Sequence, residues 1–269
     1  YAAYHPTSNT SAYLDLGYRG SRAAPGGRTN NGDLFSGSLG PMWIREAFWL
    51  IHDLPYGSYA RVGRFTLPYG WRIPDHTAYI RKGLFDQYRQ AYGAEVGIGS
   101  NYGWGNLAVW RQGIEGWPGD DRLPGWGITA EGGMRKMGWQ AGGSFHAMAG
   151  LDGTPGEVMF GPMAALNLYP LVYLGEIDWA RRTGSNPSDS LIQYHEVHYS
   201  LTRGFTPKLR WEWIDHNIDY KDDHENRVLV GFEFNPFRYV QFDVAYRRAW
   251  VPAQVDPSEF FVQLHLWGL

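Results

Sequence analysis

Apolar and polar residues alternate with a period of two along most of the chain, and the pattern is clearest in the last third. In residues 238–250 one face would carry apolar side chains and the opposite face mostly polar ones. The two sets are Val240, Phe242, Val244 and Tyr246 against Gln241, Asp243, Ala245 and Arg247. Side chains alternate between two faces in a strand, whereas a helix repeats every 3.6 residues. The pattern therefore predicts β-strands with one apolar and one polar face.

We predict fourteen strands from this alternation, with twelve to sixteen as the range that uncertain boundaries allow. The predicted segments are 11–20, 42–53, 57–66, 88–98, 103–113, 124–132, 136–149, 156–166, 169–181, 189–203, 206–219, 225–235, 238–250 and 258–268. Tilted strands that cross a bilayer need about 9 to 11 residues, and these lengths suit them.

The predicted connections are alternately long and short, so that every connection after an odd-numbered strand is longer than every connection after an even-numbered one. Long ones include 21–41, 67–87 and 114–123, and short ones include 99–102, 133–135 and 236–237. Outer-membrane barrels have short periplasmic turns and longer outer loops, and a soluble sandwich has no reason to sort its loops in this way. The sequence predicts one transmembrane, antiparallel, up-and-down β-barrel over residues 1–269, located in the bacterial outer membrane.

The amino-acid composition excludes several kinds of site and partner. The chain has no Cys, which excludes a disulfide scaffold, a thiolate metal site and haem attached through a Cys-x-x-Cys-His motif. Its net charge of -3 gives no argument for a nucleic-acid partner. Aromatic residues make up 16% of the chain, and many Trp and Tyr fall at predicted strand ends, as interfacial girdles require. We expect membrane lipid and lipopolysaccharide as surroundings, no nucleic acid and no cofactor.

The polar faces of the predicted strands carry charges of both signs. We expect the pore lining to include Glu46, Glu95, Arg111, Glu176, Asp178, Arg210, Glu212, Glu233, Asp243 and Arg247, with Asp15 and His216 on the same faces. Barrel diameter grows with strand number, and fourteen strands lie between filled eight-stranded barrels and open porins. This lining favours a narrow aqueous pore, and the alternative is a closed, ion-paired interior.

The connection 67–87 is long enough to fold back into the lumen as a constriction. Its candidate constriction residues are Arg72, Asp75, His76, Arg81 and Lys82. One hypothesis is an anion-tuned opening in which the three cations replace part of the hydration shell of a passing anion. The alternative is a structural loop in which Asp75 and Asp86 neutralise those cations.

Three other motifs are candidates for chemical sites. His195 and His198 point to opposite faces of a regular strand, so we expect no metal site there. Ser144 and His146 share a face, but no third group accompanies them, so wall polarity explains them better than catalysis. The acidic connection 219–225 is best interpreted as a solvated tip. We therefore predict no catalytic residues and no enzyme.

Residues 61–70, Arg-Val-Gly-Arg-Phe-Thr-Leu-Pro-Tyr-Gly, resemble the Val-Gly-x-Phe-x-x-Pro-Phe-Gly stretch of porins similar to the phosphate-selective porin O and P family. The following motifs, Asp75-His76-Thr77 through Arg81 and then 85–88, are similar to a porin-like branch found in bacteria with multihaem outer-membrane cytochromes. The resemblance covers about 35 residues. It implies a porin-like barrel.

From these observations we expect a porin-like channel for small hydrophilic solutes or ions, with weak anion preference. A homo-oligomer or an envelope protein partner would be compatible with it. The alternatives are a sleeve or scaffold for a periplasmic or multihaem cytochrome partner, a structural barrel in an envelope assembly, and an outer-membrane hydrolase.

Overall fold

A computed structural model describes residues 2–18, 42–73, 75, 77–82, 85, 89–112, 124–151, 153–221, 223–252 and 257–267. Within these ranges the chain forms one antiparallel sheet of fifteen strands, and each strand pairs with the next one in sequence. The strands are β1 Ala2–Thr7, β2 Thr10–Tyr18, β3 Met42–Leu54, β4 Ser58–Thr66, β5 Gln90–Gly99, β6 Gly103–Gln112, β7 Gly125–Lys136, β8 Trp139–Gly150, β9 Glu157–Leu168, β10 Leu171–Arg182, β11 Ser188–Tyr199, β12 Phe205–Asp215, β13 His224–Phe237, β14 Val240–Trp250 and β15 Ser258–Leu266. A 3-10 turn, Pro55–Gly57, joins β3 to β4, and a short helix, α1 Tyr79–Lys82, lies between β4 and β5.

The all-β, antiparallel, up-and-down architecture predicted from the sequence is confirmed, but the count of fourteen was one short. Strands β2 to β15 are the fourteen predicted ones, and β1 is the strand that was missed. β1 is six residues long and contains Pro6, so it lacks a run of alternating apolar side chains. It pairs with β2 through Ala3↔Tyr13 and Thr7↔Thr10. Among the described residues, β1 and β15 are the two edges of the sheet.

The two faces of the last strands differ in exposure as the alternation predicts. On β13 to β15 the apolar side chains of Val230, Tyr246 and Val262 are exposed on one face, while Leu229 and Arg247 on the other face are buried. A soluble sandwich would bury its apolar face instead. An exposed apolar face on consecutive strands is typical of a barrel wall that contacts lipid.

The connections keep the predicted sorting, apart from one tie. At one end of the sheet the turns have two to five residues, and at the other end the connections have five to 23. The tie is between 183–187 and 200–204, which have five residues each. The predicted outer loops 21–41 and 114–123 lie wholly outside the described residues.

The described residues of the connection between β4 and β5, within 67–89, lie inside the curve of the sheet, and we call them the inner loop. Its described residues contact β8, β10, β11, β12, β13 and β14, which are far from β4 in the strand order. The sheet therefore wraps around the inner loop. No described helix is long and apolar enough to cross a membrane.

Candidate functional site

The inner loop begins with apolar side chains that bury themselves against the inner face of the sheet. Leu67, Tyr69 and Phe85 of the loop form one cluster with wall residues that include Phe65, near the end of β4, and Trp110. The rings of Tyr69 and Phe85 are stacked with their centroids 4.5 Å apart. Each fully buried apolar side chain of this size stabilises the docked loop by about 1.5 to 3 kcal/mol. The cluster therefore anchors the start and the end of the loop to the wall.

Polar contacts with β8 and β10 fix the loop just after this cluster. The backbone N–H of Gly70 donates to Ser144 Oγ at 2.8 Å, and that of Trp71 donates to Glu176 Oε2 at 2.7 Å. The hydroxyl of Tyr69 donates to Asp178 Oδ1 at 3.0 Å. Gly70 has φ 63°, and a Cβ atom there would lie 2.2 Å from Glu176 Oε1. Only glycine allows the loop to approach this carboxylate so closely.

The second half of the inner loop packs against β11 and β12. Ile73, Ala78 and Ile80 form an apolar cluster with Ile192 and other buried residues of these strands. The backbone N–H of Tyr79 donates to Glu212 Oε1 at 2.8 Å. The loop therefore crosses the interior from β4 and reaches the opposite part of the sheet.

A charge network holds the loop at Asp75. Arg210 Nη1 on β12 donates to Asp75 Oδ2 at 2.5 Å, and Arg247 Nη1 on β14 lies 3.7 Å from the same oxygen. Arg247 also donates to Thr77 Oγ1, and Arg227 Nη2 on β13 donates to the carbonyl of Thr77 at 2.8 Å. Three wall arginines thus converge on a short segment of the loop.

Asp75 and Tyr69 are among the groups of the loop with shifted pKa values. Burial by itself would raise the pKa of Asp75, but hydrogen bonds from Thr77 and the charge of Arg210 outweigh burial and hold this pKa below its usual range. Burial and the nearby Asp178 carboxylate raise the pKa of the Tyr69 hydroxyl. Asp75 is therefore an anion and Tyr69 a neutral donor at physiological pH.

The predicted constriction residues have different environments. Arg72 is exposed, and its described hydrogen bond is from Nη2 to the carbonyl of Leu67 at 3.3 Å. Asp75 is half-buried in the network above, and Arg81 is buried in α1. The backbone of Lys82 ends α1, while its side chain and the whole of His76 lie outside the described residues.

Nine of the ten predicted lining residues lie on the inner face, and Arg111 does not. Arg111 shares the exposed face of β6 with Leu107 and Val109, while Ala108 and Trp110 are buried on the other face. The alternation of β6 had been assigned to the wrong faces, because its buried face is apolar rather than charged. Arg111 lies near the end of β6, where a lipid-facing arginine costs only about 0 to 1 kcal/mol.

The inner face also carries charged residues that the sequence analysis did not single out. Arg227 pairs with Glu212 at 2.7 Å, Glu196 accepts from Arg210 Nε at 2.5 Å, and Lys208 donates to Asp243 at 2.6 Å. Each lies two residues from, or directly across a strand pair from, a predicted lining residue. Following the parity of each strand to its end would have identified all of them.

The other motifs have structural partners. His195 lies on the outer face stacked on Trp211, at 5.4 Å between centroids, and His198 lies on the inner face beside Glu196. Ser144 holds the inner loop, and His146 Nδ1 is 2.9 Å from Thr129 Oγ1. Within the described residues, no three His, Asp or Glu side chains form a group that could hold a metal ion.

The fold and the crowded, charged interior define the class of protein: an antiparallel barrel wall with a loop folded inward is the architecture of outer-membrane β-barrel proteins. The chain is similar to a loop L8 deletion mutant of OmpT, an outer membrane protein of Vibrio cholerae, with a TM-score of 0.68 and 9% identity over 98% of this chain and 88% of that one. An in-vitro folded, trimeric OmpT from the same organism gives a TM-score of 0.66 and 9% identity over 98% and 89%. An anion-selective porin from Comamonas acidovorans gives 0.59 and 9% over 82% and 75%. No family model and no curated protein sequence matches the chain.

These similarities confirm the outer-membrane β-barrel fold and, at that level, the predicted location in the bacterial outer membrane. At 9% identity they carry the fold alone. The prediction that the chain is not an enzyme is wrong, because the structural neighbours do not allow enzymatic activity to be excluded. The neighbours include several chains named OmpT as well as a porin, and a fold shared with them leaves enzymatic activity open.

Proposed function

We propose that the chain is an outer-membrane porin-like channel that passes small hydrophilic solutes or ions, with a weak preference for anions. The observation that carries the proposal is the inner loop, which crosses the interior of a sheet whose inner face carries many charged side chains. A barrel that only needed stiffness could fill its interior with apolar side chains, as small barrels do.

Anion preference rests on Arg72. Within the described part of the chain, Arg210, Arg227 and Arg247 each pair with a carboxylate, so their charges are largely neutralised. Arg72 is exposed, and among the described residues its guanidinium forms no ion pair within 4.0 Å, although the carboxylate of Glu131 attracts it at longer range. A charge beside a narrow, partly desolvated path is screened less than one in bulk water, so a cation outside a close ion pair can bias ion flow. Arg81 contributes less because it is buried.

The resemblance of residues 61–70 to porins similar to the phosphate-selective porin O and P family supports a porin-like barrel. Assembly into a homo-oligomer is part of the proposal, and a neighbour in trimer form supports it. A sleeve around a multihaem cytochrome is less favoured, because the inner loop occupies space that a threaded partner would need.

The proposal is tested by the reversal potential of single channels in a tenfold KCl gradient. We expect Arg72→Gln to move the reversal potential toward that of a cation-preferring channel. The matched control is Arg111→Gln, which removes the same charge from the outer face and should leave the reversal potential unchanged. Equal shifts in both variants, or a shift in neither, would contradict the role of Arg72.

A further inference from the structure

A cavity of about 550 Å³ lies at the end of the sheet that carries the short turns, and we call it the rim pocket. Its lining comes from the turn between β5 and β6, the turn between β7 and β8, and the adjoining ends of β7 to β10. The described residues that line it include none of the inner loop. A cavity of this volume has room for a small organic molecule or for the headgroup of a larger one.

Hydrogen bonds between neighbouring hairpins fix the shape of the rim pocket. The backbone N–H of Arg135 donates to the carbonyl of Tyr102 at 2.9 Å, and its Nη2 donates to the carbonyl of Ser100 at 2.7 Å. The backbone N–H of Asn167 donates to the carbonyl of Gly138 at 2.8 Å. Each of these bonds joins a turn to a strand outside its own hairpin. The pocket therefore has its shape before any ligand arrives.

The rim pocket carries positive charge. Arg135 and Lys136 line it, and the described part of its lining contains no acidic residue. Within the described residues neither cation forms an ion pair. The side-chain amides of Asn101, Gln140 and Asn167 add further N–H donors. A guanidinium and an ammonium together with amide donors suit an anion, and phosphate oxygens accept hydrogen bonds from all of these groups.

The outward side of the rim pocket is apolar. Trp139 and Leu166 line the pocket, and they lie on the same faces of β8 and β9 as Phe145 and Phe160, which are exposed on the outer wall. Met137 also lines the pocket and is fully exposed. Tryptophan at the edge of an apolar wall is typical of the membrane interface. A free phosphate ion would leave this apolar surface unused, whereas a lipid would cover it.

We propose that the rim pocket binds one anionic phospholipid. The phosphate of the headgroup contacts Arg135 and Lys136, and an acyl chain lies along Trp139 and Leu166 on the outer wall. Basic pockets beside an apolar transmembrane surface recognise acidic lipid headgroups in this way. The proposal goes beyond the channel function and does not depend on it, because the site uses no residue of the inner loop.

The test uses the full chain, refolded in detergent, and native mass spectrometry with added phosphatidylglycerol. We expect the first phosphatidylglycerol to bind more tightly than phosphatidylcholine with the same acyl chains, because the choline cation cancels the charge of the phosphate. The double variant Arg135→Gln with Lys136→Gln should weaken the binding of phosphatidylglycerol about 30-fold, since two attractive cations are lost. The matched control, Arg203→Gln with Arg238→Gln, removes two exposed cations from other short turns and should leave the affinity unchanged.

A second measurement locates the lipid in the unmutated protein, so that a variant that failed to fold would not obscure the result. The probe is phosphatidylglycerol with a photoreactive diazirine in one acyl chain. After illumination and digestion, we expect the cross-links to be concentrated in residues 137–140 and 165–168, which contribute the apolar side of the rim pocket.

Four results would overturn the proposal. Equal affinity for phosphatidylglycerol and phosphatidylcholine would show that the cations do not select the lipid. An equal loss of affinity in the control variant would assign the effect to the overall charge of this end of the barrel. Cross-links spread evenly around the wall would indicate general contact with lipid. Displacement of phosphatidylglycerol by an equal concentration of inorganic phosphate would show that the pocket takes a free anion instead.

Discussion

Replacing Asp75 with asparagine removes one negative charge from the point where the inner loop meets the wall, with little change in side-chain size. Asp75 accepts from Arg210 at 2.5 Å and lies 3.7 Å from Arg247. The Arg210 side chain is only 6% exposed and that of Asp75 19%. In the variant, two arginines would share this space without the anion between them.

The size of the effect follows from burial. Breaking a buried ion pair by removing one partner costs about 3 to 5 kcal/mol. In the variant, Arg210 still pairs with Glu196 at 2.5 Å and Arg247 still pairs with Glu259. We therefore expect a cost at the lower end of this range, about 3 kcal/mol. A free-energy difference of 1.4 kcal/mol changes an equilibrium constant by a factor of ten, so the undocked population of the loop should rise about 100-fold.

Cysteine labelling measures this population directly, because the chain has no Cys of its own. Ile80 is 5% exposed in the docked loop, so Ile80→Cys should react with a maleimide only when the loop undocks. Measured at pH 7 on this background, Asp75→Asn should raise the labelling rate about 100-fold.

The matched control is Asp189→Asn, which removes a carboxylate from the more exposed pair with Arg181 at 3.8 Å. Exposed pairs contribute about 0 to 1 kcal/mol, so this control should leave the labelling rate nearly unchanged. If Asp75→Asn labelled no faster than the control, the loop would not depend on the Asp75 network, and the account of its docking would be wrong.

Two further predictions concern the wall and its orientation. Val230→Arg puts a charge on the exposed apolar face and should lower the free energy of unfolding in detergent or lipid by about 2 to 4 kcal/mol, while Val230→Ala should change it little. Urea titrations of the refolded proteins compare them, and equal midpoints would mean that this face does not contact lipid. On intact cells, an impermeant maleimide should label Lys221→Cys, in a long connection, and spare Met137→Cys, in a short turn; the reverse pattern would invert the proposed orientation.

The wall could be predicted from the sequence because alternation is a local property. Each strand from β2 to β15 carries its own two-residue period, and the side chain of Val230 is exposed for the same reason as that of Val244 is partly exposed. Arg111 shows the limit of this reasoning. Its strand, β6, buries the apolar side chains of Ala108 and Trp110, so the polarity of Arg111 did not show which face of β6 points inward.

The docking of the inner loop could not be predicted in the same way. The length of residues 67–87 indicated that the loop could enter the lumen, but Asp75 and Arg210 are 135 positions apart in sequence. Which wall strands meet the loop depends on how the whole sheet curves.

The most direct test of the central claim is planar-bilayer conductance of the purified, unmutated protein. The account predicts discrete, ohmic channels, with a reversal potential in a KCl gradient displaced weakly toward that of anions. Protein that inserts into the bilayer and remains electrically silent would contradict a channel and would show that the ion-paired interior is closed.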